Sequence, residues 1–245
     1  ETDKAISFTN VVASGNEGNG LEIISGGSFL NPTDIAVVKG SEFNKNKEDG
    51  FYLEADEDVI NPRIEDSTFL ENKTATAGIF IDAGGDILGS ANTTEISGNV
   101  VADNVKGIVI GTPDSGDPTD LIKDLSLAEN TTEHPTSDDQ NGNSEVNMVL
   151  SANNLQSLQV YNNRFIGPYD PEDSGEPGIG LHLQAFESSA NILVNLNLFD
   201  SEASGFCIGN GTAIVLDAMD TDIRKNEFRS FSKVIQILQE NENSS

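Results

Sequence analysis

The chain has 245 residues, 36% of them hydrophobic, and 41 acidic against 13 basic side chains give it a formal charge of −28 at pH 7. Such a charge repels nucleic-acid phosphates and anionic bilayers, so nucleic acid is excluded as an expected partner. No apolar stretch approaches the 18 or more residues of a membrane span, which argues against membrane insertion, and the lone Cys207 rules out an intramolecular disulfide framework.

In chain order, one imperfect pattern recurs from near Glu1 to Leu238. Its first half is a small polar residue, any residue, then a large apolar one: Asn10-Val11-Val12, Ser41-Glu42-Phe43, Ser67-Thr68-Phe69, Asn99-Val100-Val101, a degenerate copy ending at Leu127, Asn163-Arg164-Phe165, Asn197-Leu198-Phe199 and Asn226-Glu227-Phe228. Its second half is a glycine-led strand: GLEI at Gly20, GFYL at Gly50, GIFI at Gly78, GIVI at Gly107 and GLHL at Gly180, with looser versions at 147–150, 213–216 and 233–237. Apolar residues alternating with others mark β-strands, and the glycine is expected to supply a tightly bent corner. The repeats step by about 31 residues on average, so the pattern predicts an all-β, single-domain parallel β-helix of about eight coils over 1–245.

Stacking coils about 4.8 Å apart is expected to set Phe43 over Phe69 and Ile79 over Ile108 in continuous interior columns. Asn10, Asn99, Asn163, Asn197 and Asn226 hold one fixed offset before the interior residue, which predicts an asparagine ladder at a corner. Cys207, within GFCIG, is expected to be a packed, inert thiol. Long insertions are expected at 128–145, 166–179 and 200–212, leaving from one corner of the stack.

The alternation of Asn-x-Phe with Gly-Ile-x-Ile resembles the pectin-lyase-like right-handed parallel β-helix superfamily. The resemblance implies the fold; its members include polysaccharide lyases, hydrolases and epimerases as well as non-enzymatic surface proteins, so no single activity follows.

The outward positions of the glycine-led strands read Tyr52, Phe80, Val109, Val149, His182 and Val215, an apolar stripe apart from the histidine. A stripe of this kind is expected to be covered, by the chain's own loops or by a partner as an interface. The spaced carboxylates Asp217, Asp220 and Asp222, and likewise Asp114, Asp117 and Asp120, offer oxygen ligands that suit calcium. Asn72, Asn92, Asn130, Asn210 and Asn243 begin Asn-x-Ser/Thr sequons, relevant only where the source glycosylates.

For catalysis, a lyase would need a base beside calcium-holding carboxylates, and Arg164 is the best-placed arginine. A hydrolase would need convergent carboxylates; the Asp138-Asp139 pair lies in a loop-like segment, and no catalytic role is assigned to it. His182 could act as a base only if the Asp170–Glu176 loop orients it. The expected function is therefore a secreted or cell-surface structural β-solenoid, adhesive or filament-forming through open ends or the apolar stripe. Self-association, neighbouring domains and extracellular polysaccharide are its expected partners. The alternative is a polysaccharide-active enzyme with a groove built by the three long loops.

Overall fold

The computed structural model describes residues 5–72, 77–90, 93–104, 106–112, 118–133, 146–167, 178–201, 211–218 and 220–238. Every regular element among them is a β-strand, and every strand pairing is parallel. The chain winds as a solenoid through three sheets.

The first two sheets hold eight strands each, so six rungs in each have neighbours on both sides. The first sheet runs from Phe8–Thr9 through Val38–Lys39 and Ile96–Ser97 to Thr221–Arg224. The second stacks Val12–Ser14, Glu42–Asn44, Thr68–Leu70, Val100–Ala102, Thr131–Glu133, Arg164–Ile166, Leu198–Asp200 and Glu227–Arg229. The glycine-led strands form the third together with the short strands Phe29–Leu30, Val59–Ile60, Asp86–Leu88 and Leu121–Lys123, and its strands lengthen to 11 residues in Val146–Gln156 and 12 in Ile179–Ala190.

Parallel register places like on like. Phe43 sits on Phe69, and Phe165 on Phe199 on Phe228, with ring centroids 5.3, 4.6 and 5.1 Å apart and nearly parallel planes. Phe51, Ile79, Ile108, Met148, Leu181 and Ile214 make a second column, each wholly buried. At roughly 2 kcal/mol for each buried side chain of this size, such columns hold the coils together, and no coil could bury its own face alone.

Between the first two sheets the chain turns on one residue in the left-handed conformation: Asn10, Gly40, Asp66, Gly98, Glu129, Asn162, Leu196 and Lys225, with φ between 50° and 66°. The next residue is the ladder position. Asn99, Asn130, Asn163, Asn197 and Asn226 stack there, and each Oδ1 accepts both the backbone N–H and the Nδ2 of the residue one coil before, Ser67 offering only its N–H to Asn99. Each Nδ2 also donates to a main-chain carbonyl of the preceding coil, as Asn99 does to Ile64. Ser41 and Ser67 continue the column with hydroxyls that accept from Val11 and Ser41.

Two copies of the repeat fall differently from the sequence expectation. Val12 pairs with Glu42 and Ala13 with Phe43, so Asn10 is the left-handed turn residue, not a ladder rung, and Val12 faces outward. Leu127 belongs to the first sheet, between Ile96 and Val160. The true copy is Asn130-Thr131-Thr132, with a threonine in the phenylalanine slot. A threonine there is small and polar, which is why the apolar pattern skipped it.

Consequently the span 128–145 is not all insertion, since Thr131–Glu133 is a strand; Ile166, Asp200 and Thr212 likewise end or begin strands at the margins of the other two. Residues 134–145, 168–177 and 202–210, including His134, Asp138, Asp139 and Cys207, lie outside the described residues. The leading glycines also act differently from expectation. Their φ is not left-handed; a Cβ on Gly20 would lie 2.6 Å from the Gly50 carbonyl, and one on Gly180 2.6 Å from that of Ala213. They permit close approach of successive coils.

Candidate functional site

A concave site opens where the chain enters the first sheet. Three successive strands, Ile96–Ser97, Ser126–Ala128 and Gln159–Tyr161, and the segments before them enclose a cavity of about 420 Å³ lined by Ser90, Thr93, Thr94, Asp124, Leu125, Ser126, Ser157, Gln159 and Tyr161. Tyr161 and Thr94 hydroxyls meet at 3.1 Å across two coils and tie its ends together. Its wall is mainly hydroxyl-bearing, with one amide, Gln159, one aliphatic residue, Leu125, and one carboxylate, Asp124.

Behind that wall lies Glu95, a fully buried carboxylate. Oε1 accepts from the Ser90 N–H at 2.8 Å and the Thr93 hydroxyl at 2.5 Å, and Oε2 accepts from the Ser126 N–H at 2.8 Å. Burial pushes its pKa above the usual carboxylate range despite these donors. With both oxygens engaged, Glu95 shapes the wall and clamps two coils together; it does not face the cavity opening. Glu65 in the coil before shows the reverse balance: burial pushes its pKa up, but hydrogen bonds from Lys39 and Arg63 outweigh burial and hold it below the usual value.

The apolar stripe is covered within the single chain. Phe80, Val109, Val149 and Val215 are buried, and Tyr52 stacks on Phe80 at 5.1 Å while its hydroxyl donates to Glu54 at 2.5 Å. His182 is half-buried between Val149 and Val215. Of the outward positions Tyr52, Phe80, Val109, Val149, His182 and Val215, four are thus buried within the chain itself, the first of the two kinds of coverage expected, and Tyr52 and His182 remain half-buried. Arg164 is exposed on the second sheet between Thr131 and Leu198, neither of them acidic.

The carboxylates expected to bind calcium do not converge. Asp220 accepts from the Asn191 N–H at 3.0 Å, and Asp222 pairs with Arg224 at 3.4 Å. Among the described residues, no group of three acidic, histidine or cysteine side chains is arranged to hold a metal, Asp217, Asp220 and Asp222 included. Asp114 and Asp117 lie outside the described residues, whereas Asp120 lies one residue before Leu121, the register partner of Asp86, which itself stands on Asp58. Burial, then repulsion from Asp58 and Asp120, raises the Asp86 pKa.

Asn72 and Asn130 are buried and their side-chain amides are engaged in ladders, so the folded coil presents neither sequon to a glycosylating enzyme. Asn92, Asn210 and Asn243 lie outside the described residues.

The outermost described coils leave their interior columns uncovered. Ile235 and Ile237 continue the columns of Ile214 and Leu216, yet they are 43% and 65% exposed where Ile214 and Leu216 are 0% and 6%. At the opposite end Phe8, Leu21 and Ile23 are only half-buried, above the wholly buried Val38, Phe51 and Leu53.

Sequence reasoning missed the cavity because Thr94 and Tyr161 are 67 residues apart and neither belongs to the repeat. It also missed a second ladder, Asn16, Asn46, Asn72 and Asn104, at the other end of the second sheet's strands. The signal for it was present, an asparagine three residues after each interior residue Ala13, Phe43, Phe69 and Val101.

Compared with known proteins, residues 1–119 match a family model described as right handed beta helix region. No curated protein and no solved structure matches the chain. Beyond residue 119 the same sheets and the Asn130–Asn226 ladder continue, and the whole fits the pectin-lyase-like right-handed β-helix superfamily.

Proposed function

We propose that this right-handed β-helix is a non-catalytic structural component of a secreted or cell-surface assembly, a stiff spacer that joins its neighbours through its end coils. The observation that carries this reading is the contrast between side and ends. The lateral apolar stripe is buried inside the chain, whereas Ile235 and Ile237 expose interior-column surface at one end. Uncovered strand edges with apolar side chains favour pairing with another chain. Electron microscopy of the purified chain together with size-exclusion light scattering tests it. Concentration-dependent end-to-end stacks are the expected result, unchanged across a calcium titration because Asp217, Asp220 and Asp222 are not drawn together. A chain that stays monomeric at every concentration would overturn the reading.

The cavity between Thr94 and Tyr161 favours a second reading, glycan binding. Its hydroxyl and amide lining suits a hydroxyl-rich ligand. Screening acidic and neutral polysaccharides for retention and for cleavage separates binding from an enzymatic role.

A further inference from the structure

We propose that the cavity between Thr94 and Tyr161 receives a neutral sugar through its hydroxyl groups, and that Asp124 selects it against uronic acids. The inference rests on the glycan-binding reading above and adds the class of glycan and the residue that chooses it. Two observations carry it: the direction in which the wall's hydrogen bonds are already committed, and the sign of the charge the wall presents.

The cavity's volume of about 420 Å³ lies within the range of about 300–1,000 Å³ usual for small-ligand sites. It spans three coils stacked about 4.8 Å apart, which suits a short run of sugar and not a folded partner. The Tyr161 ring is anchored by its hydroxyl to Thr94 at 3.1 Å, and with Leu125 it gives the wall a small apolar surface for the C–H faces of a sugar ring.

A free hydroxyl both donates and accepts, but Thr93 has no proton to offer a ligand. Its hydroxyl donates to Glu95 Oε1 at 2.5 Å and has the Ser90 carbonyl at 3.4 Å as a second acceptor, so it presents lone pairs alone. Asp124, as an ionised carboxylate, likewise only accepts. Thr94 and Tyr161 share one bond whichever of them donates, which leaves one proton between the two. The wall therefore asks its ligand for donors at Thr93 and Asp124. Sugar hydroxyls supply them, and the two oxygens of Asp124 suit two neighbouring hydroxyls of one ring. A carboxylate set at either place supplies no donor.

Charge works in the same direction. Asp124 is the one charged residue of the wall, and its side chain is 33% exposed, so a ligand reaches it. The chain as a whole carries −28, which repels a polyuronate at long range before Asp124 repels it at contact. Lys123 lies 4.0 Å from Asp124 Oδ2 but is not part of the wall. A calcium bridge between uronate and protein draws on about six to eight oxygens, and Asp124 is the only carboxylate in the wall to begin one.

Isothermal titration calorimetry of the full chain tests the proposal, with neutral oligosaccharides of gluco, manno and galacto configuration set against oligogalacturonate at low and high salt. At least one neutral series should bind about tenfold or more tightly than oligogalacturonate, and the gap should persist in high salt, where long-range repulsion is screened. Asp124→Asn replaces one acceptor by a donor and keeps the turn, because asparagine tolerates the left-handed φ of 53° found there. It should weaken neutral binding by about tenfold and narrow the gap to the uronate. Glu187→Gln, which removes an exposed carboxylate outside the cavity, should change neither. The wild-type comparison in high salt decides the class even where a variant is unstable. If oligogalacturonate then binds as tightly as the neutral sugars, or Asp124→Asn leaves the preference where it was, the selection proposed here is wrong while glycan binding stands. If no sugar binds at either salt, the glycan-binding reading itself fails.

Discussion

The two ends of the second sheet's strands are closed by the same device and kept for different lengths. At the entry, a left-handed residue and a ladder position recur in every coil, from Val11 to Asn226. At the exit, Gly15, Lys45, Glu71 and Asp103 are left-handed and Asn16, Asn46, Asn72 and Asn104 form a ladder that then stops. The next coil leaves the exit corner into residues 134–145, the first long insertion. Beyond that point Asn147, from the following strand, donates its amide to the Thr132 and Ile166 carbonyls in place of a rung. Among the described residues the exit ladder thus ends at Asn104, whereas the entry ladder continues from coil to coil to Asn226 through the half of the stack that carries the long insertions.

The sharpest way to break that comparison is to remove one rung from each ladder. Asn163→Ala leaves the buried Asn130 N–H and Nδ2 without their shared acceptor, removes the Asn163 amide's bonds to the Leu127 carbonyl and Asn197 Oδ1, and cuts the entry ladder in its middle. Each buried donor left without an acceptor costs roughly 1–3 kcal/mol and each lost bond about 1 kcal/mol, so a loss of about 4 kcal/mol is expected. Asn104→Ala removes a final rung, which passes no bond to a further asparagine, and about 2–3 kcal/mol is expected. Urea denaturation of both variants checks the order; equal losses would mean that the entry ladder has no special hold on the stack.

How far these corners were legible in the sequence depended on spacing. Asn99, Asn163, Asn197 and Asn226 stand two residues before an interior apolar residue, and the repeat exposed them directly. Asn130 was hidden because Thr132 fills its phenylalanine slot, and Asn10 was misplaced by one residue because Ala13, not the larger Val12, points inward. Side-chain size was a good guide to the interior only where the slot was filled by Phe, Ile or Leu. The cavity had no such signal. It arises from turn residues of three coils that become neighbours only when the repeat is wound, and Glu95 looks like any surface acid until Ser90, Thr93 and Ser126 close around it.

A third corner, closed by a carboxylate instead of an amide, extends the comparison to pH. The folded state holds a proton on Glu95 above the usual carboxylate range, whereas the unfolded chain releases it at the ordinary value. Between those two values the folded state binds more protons, so this group's contribution falls as pH rises through the window, and above it the full cost of the buried charge persists. Glu95→Gln is neutral throughout and keeps one acceptor oxygen. The stability difference between wild type and Glu95→Gln should therefore shift against the wild type as pH rises from about 4 to 7. The shared relief of the −28 charge at low pH cancels in that difference. Glu65, whose pKa is lowered, contributes with the opposite sign: its stabilisation is lost as pH falls, and Glu65→Gln should flatten the acid limb.

The smallest expected effect asks whether the turn residue or the amide after it fixes the entry corner. Leu196 is the one large apolar residue among the left-handed positions there, with φ of 57° and half its surface exposed. A left-handed conformation disfavours leucine by about 1 kcal/mol and is tolerated by asparagine, whose short polar side chain bonds locally. Leu196→Asn should raise stability by about 0.5 kcal/mol, after allowance for the little apolar contact that is lost. Thermal unfolding of Leu196→Asn beside Asn197→Ala separates the two roles. If the ladder fixes the corner, easing the turn adds a few tenths of a kcal/mol while removing the neighbouring rung costs several times more; comparable magnitudes would shift the weight from the stacked amides to the backbone turn itself.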